Sequence, residues 1–250
     1  MPEWLLKFPA MTPDVLRSVT RSIDAGYLSF SRAFGDAIER FFDPLLLLLI
    51  WFEQILLRSP WVIIILALGL IAYGASRNLR LVAGVLMAFL LIGYFGMWEN
   101  TMRTLAIILV CTVIALVIGI PTGIWMSRSD RVQAIITPVL DVMQTMPIFV
   151  YLIPVVMLLG LGKIPGMLAV VVYAIPPVIR LTNLGIRLVD KDVMEAADAF
   201  GAGTWQKLAR VQLPLALPNI MAGINQTIMM ALSMVVIASM IGVKGLGQPV

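Results

Sequence analysis

Charged residues in this chain are separated by long apolar runs, and that spacing restricts its possible folds more than any other feature. No Asp, Glu, Lys or Arg occurs in residues 59–76, 81–98, 104–127, 142–162, 164–179 or 211–243. A helix crossing the hydrocarbon layer needs about 20 predominantly apolar residues. Four of these runs meet or approach that length comfortably and the other two come close. In lipid every backbone polar group must be satisfied within the protein, so only helices and closed barrels cross. The runs are continuous and show no period-2 alternation, which excludes a barrel. The expected fold class is therefore all-α and polytopic.

Composition agrees and removes several kinds of chemistry. Hydrophobic residues make up 60% and charged residues 13% of the 250 positions, where a soluble domain carries roughly twice that share of charge. The formal net charge is +4, but no basic stripe with interleaved aromatics is present, so nucleic acid is not an expected partner. There is no His, which excludes imidazole bases and His-ligated metals. The single Cys, Cys111, lies inside an apolar run and reads as a small packing residue. The 16 Met residues form no soft-ligand cluster with it. No catalytic residue, metal site or cofactor bound by this chain is expected.

Six spans are expected, over about 60–76, 81–98, 101–127, 138–160, 164–183 and 216–241. Three regions follow: residues 1–59, 60–98 with two N-terminal spans, and 99–250. Residues 1–43 mix both signs of charge too densely for a signal peptide. Residues 44–57 are apolar but interrupted by Glu53, which fits an interfacial amphipathic helix. Basic residues orient the spans. Arg77 and Arg80, then Arg128 and Arg131, then Arg180, Arg187, Lys191, Lys207 and Arg210 fall in alternate loops, while the other loops carry only Glu99 with Arg103, Lys163 and Lys244. The Arg-rich loops are expected in the cytoplasm and the N-terminal region outside, in a multi-pass inner-membrane protein. Trp98 and Trp125 bracket the third span about 40 Å apart, as interfacial anchors do.

Pro147, Pro154, Pro165, Pro176 and Pro177 interrupt the fourth and fifth spans. Proline kinks a helix by freeing a carbonyl. Ordinary packing and a pathway that opens and closes account for them equally well. Residues 188–218, LVDKDVMEAADAFGAGTWQKLARVQLPLALP, carry more information. Asp190 suits an N-cap, and Val193, Met194, Ala197 and Phe200 recur at helical spacing. Gly201 and Gly203 allow a left-handed backbone that ends this helix. Thr204 then suits the cap of a second helix through Trp205, Leu208, Ala209 and Val211, which gives way at Pro214 to the last span. The product is a helix–turn–helix elbow whose turn is built from small residues, the kind of surface that seats closely in another protein's groove.

In this stretch Glu195-Ala196-Ala197, three residues, Gly201, nine residues, Val211, one residue and Leu213-Pro214 resemble the EAA signature of ABC importer permeases, with Val where Ile is common. The resemblance implies a coupling elbow over 188–216. Glu195, Ala196, Ala197, Phe200, Gly201, Gly203 and Pro214 would dock into a cleft of a separate ATPase, with Lys207 and Arg210 flanking the joint. Three further stretches are similar to permeases for glycine betaine, proline betaine and choline. They run from Asp141 through Pro147 and on from Phe149 to Pro154, from Ala174 to Asn183, and from Gly242 to Gly247. That likeness implies the type I ABC permease fold and a second permease copy. It also implies two copies of an ATPase that holds ATP and Mg, and an extracytoplasmic binding protein that holds the aromatic cage for the quaternary ammonium. Members of the family continue past Gly-Leu-Gly into a final helix, so this sequence is expected to lack that helix by truncation. Gln144, Met146, Pro147, Phe149, Tyr151, Pro176 and Pro177 are the expected path residues. Which osmolyte passes is left open among betaines, choline, carnitine and trimethylamine N-oxide.

Two other functions compete. An ion-coupled secondary transporter places ionisable residues at the bilayer midplane. By the spacing of charges the span interiors lack them, with Asp141 at a span's entrance. An intramembrane enzyme needs a nucleophile with a base or a metal, and neither is present.

Overall fold

The computed structural model describes residues 11–248, and throughout them the regular structure is helical. Ten helices follow in order: α1 (Pro13–Arg58), α2 (Trp61–Ser76), α3 (Leu79–Tyr94), α4 (Trp98–Arg128), α5 (Asp130–Thr145), α6 (Ile148–Leu159), α7 (Lys163–Arg187), α8 (Lys191–Ala199), α9 (Thr204–Lys207) and α10 (Leu213–Ser239). The chain divides into two compact units at residues 44 and 45. The first consists of the N-terminal part of α1, mostly solvent-exposed along the described residues. Everything below concerns the second.

Among the described residues three helices are long and apolar enough to cross a membrane: Trp98–Arg128, Lys163–Arg187 and the continuous rod Thr204–Ser239. Two bent pairs qualify if each is taken as one crossing, Arg40–Arg58 with Trp61–Ser76 at 107° and Asp130–Thr145 with Ile148–Leu159 at 89°. The fourth expected span, 138–160, is thus two helices. Pro147 accounts for the break, because a proline pushes the residue before it out of the helical region, and Met146 is extended at φ −68°, ψ 134°. The second expected span also ends early. Gly96 takes φ +72°, and α3 stops at Tyr94 after 16 residues, about 24 Å of helix at 1.5 Å per residue.

Helix α7 is the centre of the packing, with α4 and α10 against it. Small residues set the distance. A Cβ on Gly123 of α4 would lie 2.6 Å from Cβ of Thr182 and 2.8 Å from the carbonyl oxygen of Ile179. One on Gly223 of α10 would lie 3.1 Å from Cα of Val178. Without a hydrophobic force between helices in lipid, this close approach supplies the dispersion contact that joins them. The apolar core runs along the seam through Ala106, Val110, Cys111, Val170, Ala174, Ala231, Met234 and Ala238. We expect Gly123→Val to cost about 1–3 kcal/mol by overpacking. Gly84→Val on α3, where an added Cβ meets nothing within 4 Å, should be tolerated. Thermal unfolding of the two variants in detergent checks the difference.

Both ends of α7 are fastened. At one end Leu45, Leu49, Phe52 and Leu56 of α1, spaced as one helical face, pack on the core. Beside them buried Glu53 meets Lys163 and Arg103. After α10 the chain folds back on the same end: Val243 is buried, and the N–H of Leu246 donates to Oγ1 of Thr104 at 2.9 Å. At the other end lies the elbow.

Candidate functional site

The elbow is built by α8, a four-residue connection and α9. Asp190 caps α8 by accepting from the N–H of Asp192 at 2.9 Å. The helix closes in a double hydrogen bond: Ala202 N–H donates to the Ala197 carbonyl at 3.0 Å and Gly201 N–H to that of Asp198 at 2.9 Å. This is the Schellman arrangement, which requires a left-handed residue just past the helix, and Gly201 supplies it at φ +73°. Gly203 does not share that role. Its backbone is extended at φ −66°, ψ 162°, and it, rather than Thr204, is the cap of α9. Its N–H donates to Oε1 of Gln206 at 3.0 Å.

The second arm leads straight into the last long helix. Residues 208–212 form a single wide turn, with the N–H of Leu213 reaching back to the carbonyl of Leu208. The cause is Pro214, whose ring conflicts with the carbonyl four residues earlier in a regular helix. Leu208 is buried with Ile186, Ala216 and Ile220, so the elbow is rigidly seated on the ends of α7 and α10.

Three basic side chains complete the seat, of which the sequence had given only Lys207 a place at the joint. The guanidinium of Arg187 uses all its nitrogens: Nε to Oδ1 of Asn183 at 3.1 Å, Nη2 to the carbonyl of Met126 at 3.1 Å and Nη1 to Oδ1 of Asp130 at 2.8 Å. Arg128 donates to the carbonyl of Thr204 at 3.4 Å. Lys207 pairs with Asp198 across the two arms and so lies within the elbow as well as beside the expected joint. For Arg187 and Arg128 the only signal in the sequence was a basic residue near a helix end. A cavity of about 240 Å³ among Ser127, Arg128, Ile186, Met194, Thr204, Lys207 and Gln212 lies beneath the turn.

Beyond that seat α8 is bare. None of its residues is buried, and Glu195, Ala196, Gly201, Gly203 and Pro214 are exposed while Ala197 is half-buried. At the tip Phe200 is 92% exposed and Trp205 74% exposed. Large apolar rings held this far into solvent on a rigid polar elbow mark a contact surface.

The expected path residues separate into two groups. Gln144, Pro147 and Phe149 are exposed and Met146 half-buried around the α5–α6 break. Tyr151 is half-buried, facing a cavity of about 100 Å³ with Val155, Pro165 and Val172. Pro176 and Pro177 are instead buried in the packing of α7. Asp141 and Arg180 lie within helices rather than at their ends. Asp141 is eleven residues into α5, and Arg180 is seven residues from the end of α7. The two form an ion pair. Runs measured from one charge to the next make every charge a boundary, so the spacing could not have revealed them.

A family described as "Binding-protein-dependent transport system inner membrane component" matches residues 115–250, more than half of the chain. The glycine betaine/proline betaine transport system permease protein ProW of Escherichia coli (strain K12) is 51% identical over 199 residues, 80% of this chain and 56% of that protein. The glycine betaine/carnitine transport permease protein GbuB of Listeria monocytogenes is 51% identical over 200 residues, covering 78% and 70%. The trimethylamine N-oxide transport system permease protein TmoV of Ruegeria pomeroyi is 34% identical over 258 residues, covering 99% and 39%. The chain thus matches only part of these relatives' own length, from 39% to 70%. With a matched core that includes α7, the elbow and α10, it belongs to the family of binding-protein-dependent transport system inner membrane components.

Proposed function

We propose that this chain is the transmembrane permease subunit of an ATP-driven importer for quaternary ammonium osmolytes such as glycine betaine, proline betaine, choline or carnitine. The observation that carries the reading is the elbow: a glycine-locked turn, seated by Leu208 and Arg187, that presents Phe200 and Trp205 bare to solvent. A rigid lever joined to the ends of α7 and α10 is what a separate ATPase needs in order to move the spans. Residues 188–216 are the lever, with Glu195, Ala196, Ala197, Phe200, Gly201 and Gly203 in the joint and Pro214 at its root. ATP and Mg belong to the partner ATPase.

In this reading the fold is that of type I ABC permeases, crossing at α2, α3, α4, the α5–α6 pair, α7 and α10. Two permease copies and two ATPase subunits form the complex, and an extracytoplasmic binding protein delivers the substrate. Charge asymmetry puts the elbow in the cytoplasm and the N-terminal region outside. The path is lined around the α5–α6 break by Gln144, Met146, Pro147, Phe149 and Tyr151, with Pro176 and Pro177 shaping α7 behind it. The closeness of relatives whose names carry betaine, carnitine and trimethylamine N-oxide supports the substrate class.

Reconstitution tests the assignment. The chain alone in vesicles is expected neither to hydrolyse ATP nor to accumulate glycine betaine, and to do both with the ATPase and a loaded binding protein. Uptake by the chain alone under a proton or sodium gradient would establish the ion-coupled alternative. Orientation is checked in a Cys111→Ala background: Gly203→Cys should label only from the cytoplasm and Asn100→Cys only from outside.

A further inference from the structure

Helix α7 packs against α4 and α10, and its two exposed residues share a stripe with Tyr173 and Arg180. Tyr173 and Arg180 are half-buried, and Leu184 and Arg187 are exposed. Spacings of seven, four and three residues place all four on the same face. Arg180 lies about 10 Å from the Arg187 end of α7 and about 26 Å from the Lys163 end at 1.5 Å per residue, well inside an apolar helix. Its Nη2 is paired with Oδ1 of Asp141, and its Nε is buried without a hydrogen-bond partner. The pair is nonetheless open to the outside of the chain, with 38% of the Arg180 side chain and 55% of the Asp141 side chain exposed. Charges at such a depth face water or protein, because lipid contact is too costly. In the permease reading, the face carrying Arg180 and Asp141 turns to the aqueous path rather than to lipid.

Asp141 also sits one turn before the Met146–Pro147 break, beside the exposed Gln144 and Phe149. A cation and an anion held side by side in a wet cavity form the complement of a zwitterion. The guanidinium has donors beyond the one that Asp141 takes, and its planar fork suits a carboxylate. A quaternary ammonium has no N–H to donate and answers to Asp141 through charge alone.

We propose that the Asp141–Arg180 pair selects zwitterions in the translocation path. Arg180 exchanges Asp141 for the carboxylate of the passing substrate, and Asp141 becomes the counter-charge of its ammonium group. In the empty path the two residues satisfy each other. This deepens the permease reading above and rests on it. It separates substrates by one group: glycine betaine carries a carboxylate, whereas choline carries a hydroxyl in its place and gains little from Arg180.

The test uses the complete complex in proteoliposomes, with a binding protein that loads both glycine betaine and choline. Uptake of each is measured alongside ATP hydrolysis. Arg180→Gln should lower the ratio of glycine betaine to choline uptake about tenfold, as expected for the loss of a charge-assisted hydrogen bond. Arg180→Lys keeps the charge and loses the fork, and its ratio should fall between the two; it also serves if the Gln variant fails to assemble. Stimulation of ATP hydrolysis by the choline-loaded binding protein should stay within about twofold of wild type. Equal loss of both substrates in an assembled complex would show a structural latch and overturn the proposal, as would an unchanged ratio. A wild-type complex that moves neither substrate would overturn the permease reading itself, a result distinct from either.

Discussion

Gly201→Asp is expected to abolish the stimulation of ATP hydrolysis by loaded binding protein, with the chain still inserted in the membrane. Two effects combine at this residue. Its φ of +73° is one that a residue with a Cβ adopts at a cost of about 1 kcal/mol. An Asp side chain would also project from the tip, where the added Cβ meets no atom of this chain and therefore points at whatever seats on the elbow. The first effect loosens the turn, and the second adds bulk and an unpaired charge to the joint. Gly96→Asp separates them. Gly96 has φ +72° and equally open space around an added Cβ, but it lies between α3 and α4, away from the elbow. It carries the same backbone strain and should leave stimulation intact. Phe200→Ala should weaken co-purification of the ATPase by removing a ring that is 92% exposed and available to fill a pocket. Wild-type stimulation in Gly201→Asp proteoliposomes would reduce the elbow to a solvated connector.

Glu53→Ala should be the most destabilising single change at the opposite end. The Glu53 side chain is 11% exposed and lies between Nζ of Lys163 at 2.5 Å and Nε of Arg103 at 3.6 Å. Arg103 also pairs with Glu99 one helical turn away. Among the described residues, removing Glu53 leaves Lys163 without an ion-pair partner and Arg103 with one. Breaking a fully buried pair costs about 3–5 kcal/mol, against about 0–1 for an exposed one. With Lys163 32% and Arg103 21% exposed, about 2–3 kcal/mol is expected between those limits. The loss should appear as a lower unfolding temperature in detergent. Glu53→Ala combined with Lys163→Ala should cost less than the sum of the single changes, because the double variant leaves no uncompensated ammonium. Additive costs would show that Glu53 and Lys163 are neighbours without coupling.

Particular residues show how far the sequence carried. The elbow was legible because its determinants are local: an Asp N-cap, small residues at helical spacing and a glycine where a left-handed residue ends the helix. Gly201 met that expectation, whereas Gly203 turned out extended and took the cap position expected of Thr204. The apolar lengths were legible as well, because a charge-free run has one economical fate in lipid. Breaks within them were less so. Pro147 was read as a possible kink, and the structure makes it an 89° bend. A proline's effect depends on whether neighbouring helices can satisfy the groups it frees.

By itself the sequence determined that the chain is helical, apolar in long segments, and bent into an elbow at residues 188–216, since each follows from hydrogen bonding and dihedral preference within a few residues. Only the tertiary structure decided which charges meet. Asp141 and Arg180 are 39 residues apart in sequence, and Glu53 and Lys163 are 110 apart. Nothing local distinguishes a charge that ends a helix from one held inside by a partner on another helix. That distinction is made by the packing around α7, whose close fit against small residues of α4 and α10 fixes which distant side chains come within reach of it.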